Sequence, residues 1–162
     1  MTAPNTPGNT PEAAGELAKA IEPRAAAQRH VFVYGTLRRG QRNDITRLRP
    51  APCFVGAATT AGLMVHLGAY PGVMLRPQAG AEAPIQGEVY AITAALERRL
   101  DEIEMIDPLA PDHENGEYIK REIEVDVGGT RLVCLFYEIN PGFALDKPVI
   151  ASGDWVLGNP RQ

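Results

Sequence analysis

Residues 119–139 constrain the fold most: IKREIEVDV and RLVCLFYEI are two runs rich in β-branched and aromatic residues, separated only by Gly128, Gly129 and Thr130. Glycine accepts the positive φ angles of a tight hairpin, so the two runs are expected to pair antiparallel. In the first run Ile119, Arg121, Ile123, Val125 and Val127 share one face, while Lys120, Glu122, Glu124 and Asp126 share the other. Arg121 is the lone charge on the apolar side. HVFVY (30–34), TAGLMVHL (60–67) and IQGEVYAI (85–92) are further strand candidates. Among them ITAALERRLDEIEMID (92–107) reads as the single convincing helix. Thr93 is its expected N-cap, Pro108 its stop, and Leu96, Leu100, Ile103 and Asp107 its buried stripe. Many strands with one main helix predict a β-rich α+β domain whose sheet closes into a barrel or curls strongly.

A chain of 162 residues is long enough for one domain with a proper core. Residues 1–29 contain hardly a large apolar side chain besides Leu17 and Ile21, so they are expected to form a flexible leader, with a short helix near 11–21. The domain is then 30–162. The leader has no apolar h-region, and no stretch approaches the ~20 apolar residues of a membrane span, which predicts a cytoplasmic protein without a membrane partner. A net charge of −4 argues against nucleic acid and favours a small molecule as partner. Cys53 and Cys134 each lie in an apolar run and read as reduced core thiols. Without a CxxC or HExxH pattern the sequence offers no metal site, and cofactor-free chemistry is expected. His30, His66 and His113 have no Ser or Cys placed to form a triad and are read as structural or exposed.

Two segments can carry chemistry. VFVYGTLRRGQ (31–41) runs from a strand into Gly35, Thr36 and Leu37, but it matches neither GxxxxGK[ST] nor GxGxxG. It is then either a plain strand-to-loop junction, with Arg38, Arg39, Arg42, Arg47 and Arg49 as a basic surface, or a concavity in which successive backbone amides meet a carboxylate. Local sequence does not separate the two. On the helix, a projection from Leu96 puts Leu100 at about 40°, Ile103 at about −20°, Glu104 at about 80° and Glu102 at about 240°. Glu102 therefore faces water, and Glu104 flanks the core, where partial desolvation raises a carboxyl pKa and suits it to general-base work. The competing reading is a boundary glutamate paired with an arginine such as Arg121.

Taken together and in order, VFVYGTLRRGQ, GAYPGVML (68–75), QGEVYAI (86–92), LDEIEMID (100–107), YIKREIEV (118–125) and SGDW (152–155) resemble the γ-glutamylcyclotransferase-like family, BtrG-like branch. The resemblance implies a small mixed β-barrel with flanking helices and a cavity at its mouth. It further implies that the loop of Tyr34, Gly35, Thr36 and Leu37 holds the γ-glutamyl group through its amides, that Glu104 is the acid/base, and that Tyr70 and Tyr118 are cavity walls. Arg121 is structural in this reading. The implied activity is acyl transfer within the substrate: a γ-glutamyl amine or amino acid cyclises to 5-oxoproline and releases the amine, with no cofactor. After LDEIE the chain departs from the family pattern of Gly and an aromatic, having Met105 and Ile106. Two rivals stand beside this: a non-catalytic module binding a carboxylate ligand in the same pocket, and an interaction protein whose arginine segment, 38–49, meets an acidic partner.

Overall fold

The computed structural model describes residues 28–77, 80–111 and 115–158. Most of the expected leader, 1–27, and His113 lie outside the described residues. Among the described residues six strands are formed: β1 (Arg29–Val33), β2 (Cys53–His66), β3 (Pro71–Met74), β4 (Ala83–Ile92), β5 (Tyr118–Val127) and β6 (Thr130–Ile139). They make one sheet in the order β3-β2-β4-β1-β6-β5. Among these pairings only β1 with β6 is parallel. β1 is central, paired with β4 on one side and β6 on the other, which is why VFV is apolar without alternation. Val31 and Val33 join one core cluster; Phe32 and Tyr34 join another on the opposite face.

The predicted hairpin is continuous from Tyr118↔Ile139 to Val127↔Thr130. Its turn is two residues rather than three, with Gly128 at φ 59° and Gly129 at φ 87°, because Thr130 already pairs as the first residue of β6. The expected alternation holds in β5: Ile119 and Val125 are buried, and Glu122, Glu124 and Asp126 are exposed. Arg121 meets no apolar core; its side chain reaches Glu138 at 3.2 Å.

The mixed sheet curls until its two ends approach. A Cβ on Gly56 of β2 would stand 2.6 Å from Val127 Cγ1 of β5, and one on Gly72 of β3 would stand 2.6 Å from Ile139 Cβ of β6. No hydrogen-bonded ladder joins β3 to β5, so the expected barrel is a curled, unclosed sheet. Cys134 is in the core as expected, but Cys53 is exposed, because it begins β2 just before the irregularity between Phe54 and Gly56.

The helix α1 (Ala94–Ile103) follows β4 directly and is capped by the Thr93 hydroxyl, which accepts from Leu96 N–H at 3.2 Å. Leu96 and Leu100 pack onto Val31, Val33 and Leu135. The helix stops four residues short of the position Pro108 would enforce. Its last turn closes by Ile106 N–H to Asp101 C=O (2.8 Å) and Met105 N–H to Glu102 C=O (3.2 Å), with Met105 at φ 55°. This is a Schellman ending, in which the left-handed residue normally is glycine. Of the predicted stripe, Ile103 and Asp107 are exposed, since the helix ends before it can press them on the sheet.

Met105 in this conformation is strained relative to glycine. Met105→Gly is therefore expected to raise stability by about 0.5–1 kcal/mol, net of the extra freedom glycine has when unfolded. Urea unfolding at pH 7 checks this, and an unchanged or lowered midpoint would contradict it.

Candidate active site

A cavity of about 310 Å³ opens where the end of β1, the turn before β3, the end of α1 and the start of β5 converge. Tyr34, Gly35, Thr36, Leu37, Tyr70, Glu104 and Tyr118 all line it, so the seven residues to which the resemblance gives a place in the site are brought together. Arg42, expected only as part of a basic surface, also lines it, as do Glu117, Asn43 and Tyr137, which the sequence did not mark.

The loop after β1 is folded by its carbonyls. Gly35 C=O accepts from Arg38 N–H (3.0 Å), Thr36 C=O from Asn43 N–H (2.9 Å), and Leu37 C=O from Ile45 N–H (2.9 Å). Among the described residues, none of the Gly35, Thr36 and Leu37 amides has a protein acceptor. Three successive unpaired donors at the wall of a cavity are suited to an anion. Gly35 is required by proximity: a Cβ there would lie 2.7 Å from Pro71 Cγ and 2.9 Å from Cδ. Pro71 in turn is held by Tyr118, whose hydroxyl donates to Pro71 C=O at 2.8 Å. Tyr34 is buried and donates to Tyr137 C=O at 2.5 Å.

Of the arginine run, Arg39, Arg42, Arg47 and Arg49 are exposed as a basic surface would be, but Arg38 is not. Arg38, only 15% exposed, forms ion pairs with Glu88 of β4 and Asp154, each at 2.9 Å. The other Glu88 oxygen accepts from Arg39 N–H (3.0 Å) and the Tyr90 hydroxyl (2.7 Å). Arg38 thus clamps the loop to β4 and to the segment entering a short C-terminal turn, α2 (Trp155–Gly158), while Arg39 is exposed as expected. An acidic partner would not find Arg38 available.

Glu104 caps the end of α1 and is half-buried. Burial, and then the negative charge of Glu117, push its carboxyl up to about 7. It forms no ion pair among the described residues; Arg121, its suggested alternative partner, is engaged with Glu138. A carboxyl with such a value exchanges protons near neutral pH, as an acid/base group must. Glu117 follows the acid-rich loop and precedes β5; Tyr70 donates to its Oε1 at 2.6 Å. Its only sequence signal was its place beside Tyr118, since an acidic residue in an acidic loop is otherwise unremarkable. Bonding to Glu117, then burial, raises the Tyr70 hydroxyl to about 12, and burial raises Tyr118 further, so both are neutral donors. Their rings lie 6.3 Å apart.

His66 lies elsewhere, with Nδ1 accepting from Gly68 N–H (3.0 Å) and its ring 5.1 Å from Trp155. Among the described residues, no group of three or more His, Cys, Asp or Glu could hold a metal ion, and no helix is long and apolar enough to cross a membrane.

Residues 31–157 match the family described as gamma-glutamyl cyclotransferase, AIG2-like, and the chain belongs to that family. It is 32% identical over 105 residues to the gamma-L-glutamyl-butirosin B gamma-glutamyl cyclotransferase of Niallia circulans, in keeping with the BtrG-like resemblance. That match takes in 64% of this chain and 62% of the relative, less than two thirds of its length. Among solved structures, an AIG2-like protein of Mus musculus is similar with a TM-score of 0.60 and 26% identity, over 78% of this chain and 88% of that one. YkqA of Bacillus subtilis shares the fold, with a TM-score of 0.60 and 21% identity over 83% of this chain and 44% of YkqA.

Proposed function

We propose that this protein is a γ-glutamyl cyclotransferase, closing a γ-glutamyl amide to 5-oxoproline and releasing the amine. The observation that carries the reading is one cavity holding both the unpaired amides of Gly35, Thr36 and Leu37 and the proton-exchanging carboxyl of Glu104. Family membership and the Niallia circulans relative support it.

In this reading the amides of residues 35–37 hold the substrate α-carboxylate, and Tyr34, Tyr70 and Tyr118 shape the walls. Glu104 takes a proton from the α-ammonium; the freed nitrogen attacks the γ-carbonyl carbon. A ring C–N bond forms and the amide C–N bond breaks. Glu104 returns its proton to the departing nitrogen, and the second proton of the attacking nitrogen follows by the same carboxylate, so the amine leaves as an ammonium. The nucleophile is already tethered to the electrophile, so positioning supplies much of the rate, and none of these steps calls for a metal or cofactor. We assign the activity to the domain expected over residues 30–162, whose first strand begins one residue earlier at Arg29, and to the cytoplasm, where the free thiols of Cys53 and Cys134 are stable.

The test is incubation of the protein with a panel of γ-L-glutamyl amides and amino acids, with 5-oxoproline followed by mass spectrometry. Enzyme-dependent product supports the reading. Saturable binding of the panel with turnover no faster than buffer would replace it with a binding module.

A further inference from the structure

Eight carboxylates among the described residues are buried or half-buried, and six have a cation. Asp44 is met by Arg47, Glu88 and Asp154 by Arg38, Glu97 and Asp101 by Lys120, and Glu138 by Arg121. The two without an ion pair are Glu104 and Glu117, and both line the cavity. A charge held out of water without a partner is costly, so an unpaired pair confined to one cavity marks where a ligand brings its own positive charge.

A γ-glutamyl group brings one ammonium, and the proposed chemistry assigns it to Glu104. Glu117 then remains. It is the residue just before β5, with Oε1 held by the Tyr70 hydroxyl, and Oε2 has no partner among the described residues. Arg42, the one lysine or arginine that lines the cavity among the described residues, belongs to the loop that carries the amides and forms no ion pair with Glu117. The Tyr70 and Tyr118 rings, 6.3 Å apart, line the same cavity as Glu117, and aromatic rings attract cations.

We propose that Glu117 is a specificity-determining residue that favours leaving groups bearing a second positive charge over neutral and anionic ones. This rests on the cyclotransferase reading.

The test compares three γ-L-glutamyl amides of matched length on the full chain: the n-pentylamide, the 4-aminobutylamide and the amide of 4-aminobutyric acid. For the parent protein, kcat/KM is expected to fall about tenfold from the cationic to the neutral leaving group and about tenfold again to the anionic one. Glu117→Gln should bring all three within about threefold, and Glu117→Lys should reverse the order, as expected of a charge pair. The ratio is the readout because loss of the Glu117 charge also lowers the proton affinity of Glu104, which affects the three substrates alike. Should a variant fail to fold, the parent ratios still decide. Turnover of the neutral amide without preference for the cationic one overturns the role of Glu117 and leaves the cyclotransferase reading standing. Failure to turn over any of the three overturns both.

Discussion

Glu104→Gln is expected to fold, to lose about a thousandfold in turnover, and to melt higher than the parent above pH 7. The activity loss follows from the range of general acid/base contributions, about 10²–10⁴, because Gln can neither take nor return a proton. The stability gain follows from linkage. The Glu104 carboxyl rises from its ordinary 4.5 to about 7, led by burial, so between those values the native state binds more protons than the unfolded one. Stability therefore falls as pH rises through this window, and the whole penalty is present above it. Gln removes the charge and the penalty, by about 1–2 kcal/mol at pH 8 after allowance for partial exposure, and by nothing at pH 4. The same titration predicts that parent kcat/KM climbs through about pH 7 from the acid side, as the carboxylate form appears. Calorimetry at pH 4 and 8, beside a 5-oxoproline assay, reads both effects. Retained turnover would remove Glu104 from the chemistry, and a lower melting temperature at pH 8 would overturn the desolvation account.

Gly153→Ala is expected to cost roughly 3 kcal/mol or more, far beyond an ordinary surface substitution. Gly153 sits at φ 66°, where a side chain is disfavoured by about 1–2 kcal/mol. More seriously, its Cβ would overlap the Pro84 carbonyl oxygen and stand 3.0 Å from that carbonyl carbon. Neither neighbour is the flexible end of a side chain. Relief requires moving the segment away from β4, which breaks Gln86 N–H to Gly153 C=O (2.8 Å) and disturbs Trp155, fully buried two residues on. Asp154 would move with it and release Arg38, so turnover should fall together with stability. Urea denaturation provides the measurement; a loss under about 1 kcal/mol would mean that the segment shifts without cost.

What could be read from residues alone was local. The Gly128-Gly129 hairpin, the alternation of β5 and the central strand HVFVY follow from turn chemistry and side-chain period. Glu104 was legible because a helical projection needs only neighbouring residues, though the projection carried Ile103 inward where the early Schellman ending leaves it outside. The missed features depend on distant partners. Arg38 reads as one of a basic run until Glu88 and Asp154, 50 and 116 positions away, are set against it. Glu117 gains meaning only from Tyr70, 47 positions earlier. Closure of the sheet, likewise, is decided by whether β3 and β5 pair, which no local pattern records.

The way the loop of residues 34–37 is held has a consequence for synthesis. As the chain leaves the ribosome, β2 can pair with β3 and with β4, β1 can pair with β4, and α1 can lay Glu104 in place. The pocket still lacks Tyr118, Tyr137 and the Arg38 clamp, because β5, β6 and Asp154 are translated last. Until then the loop has no anchor at Asp154 and β1 has a bare edge awaiting β6. A chain stalled at about residue 115, before β5 and β6 exist, would thus present a folded-looking sheet with an unfinished site, and that exposed edge is where holding chaperones or quality-control proteases would engage it.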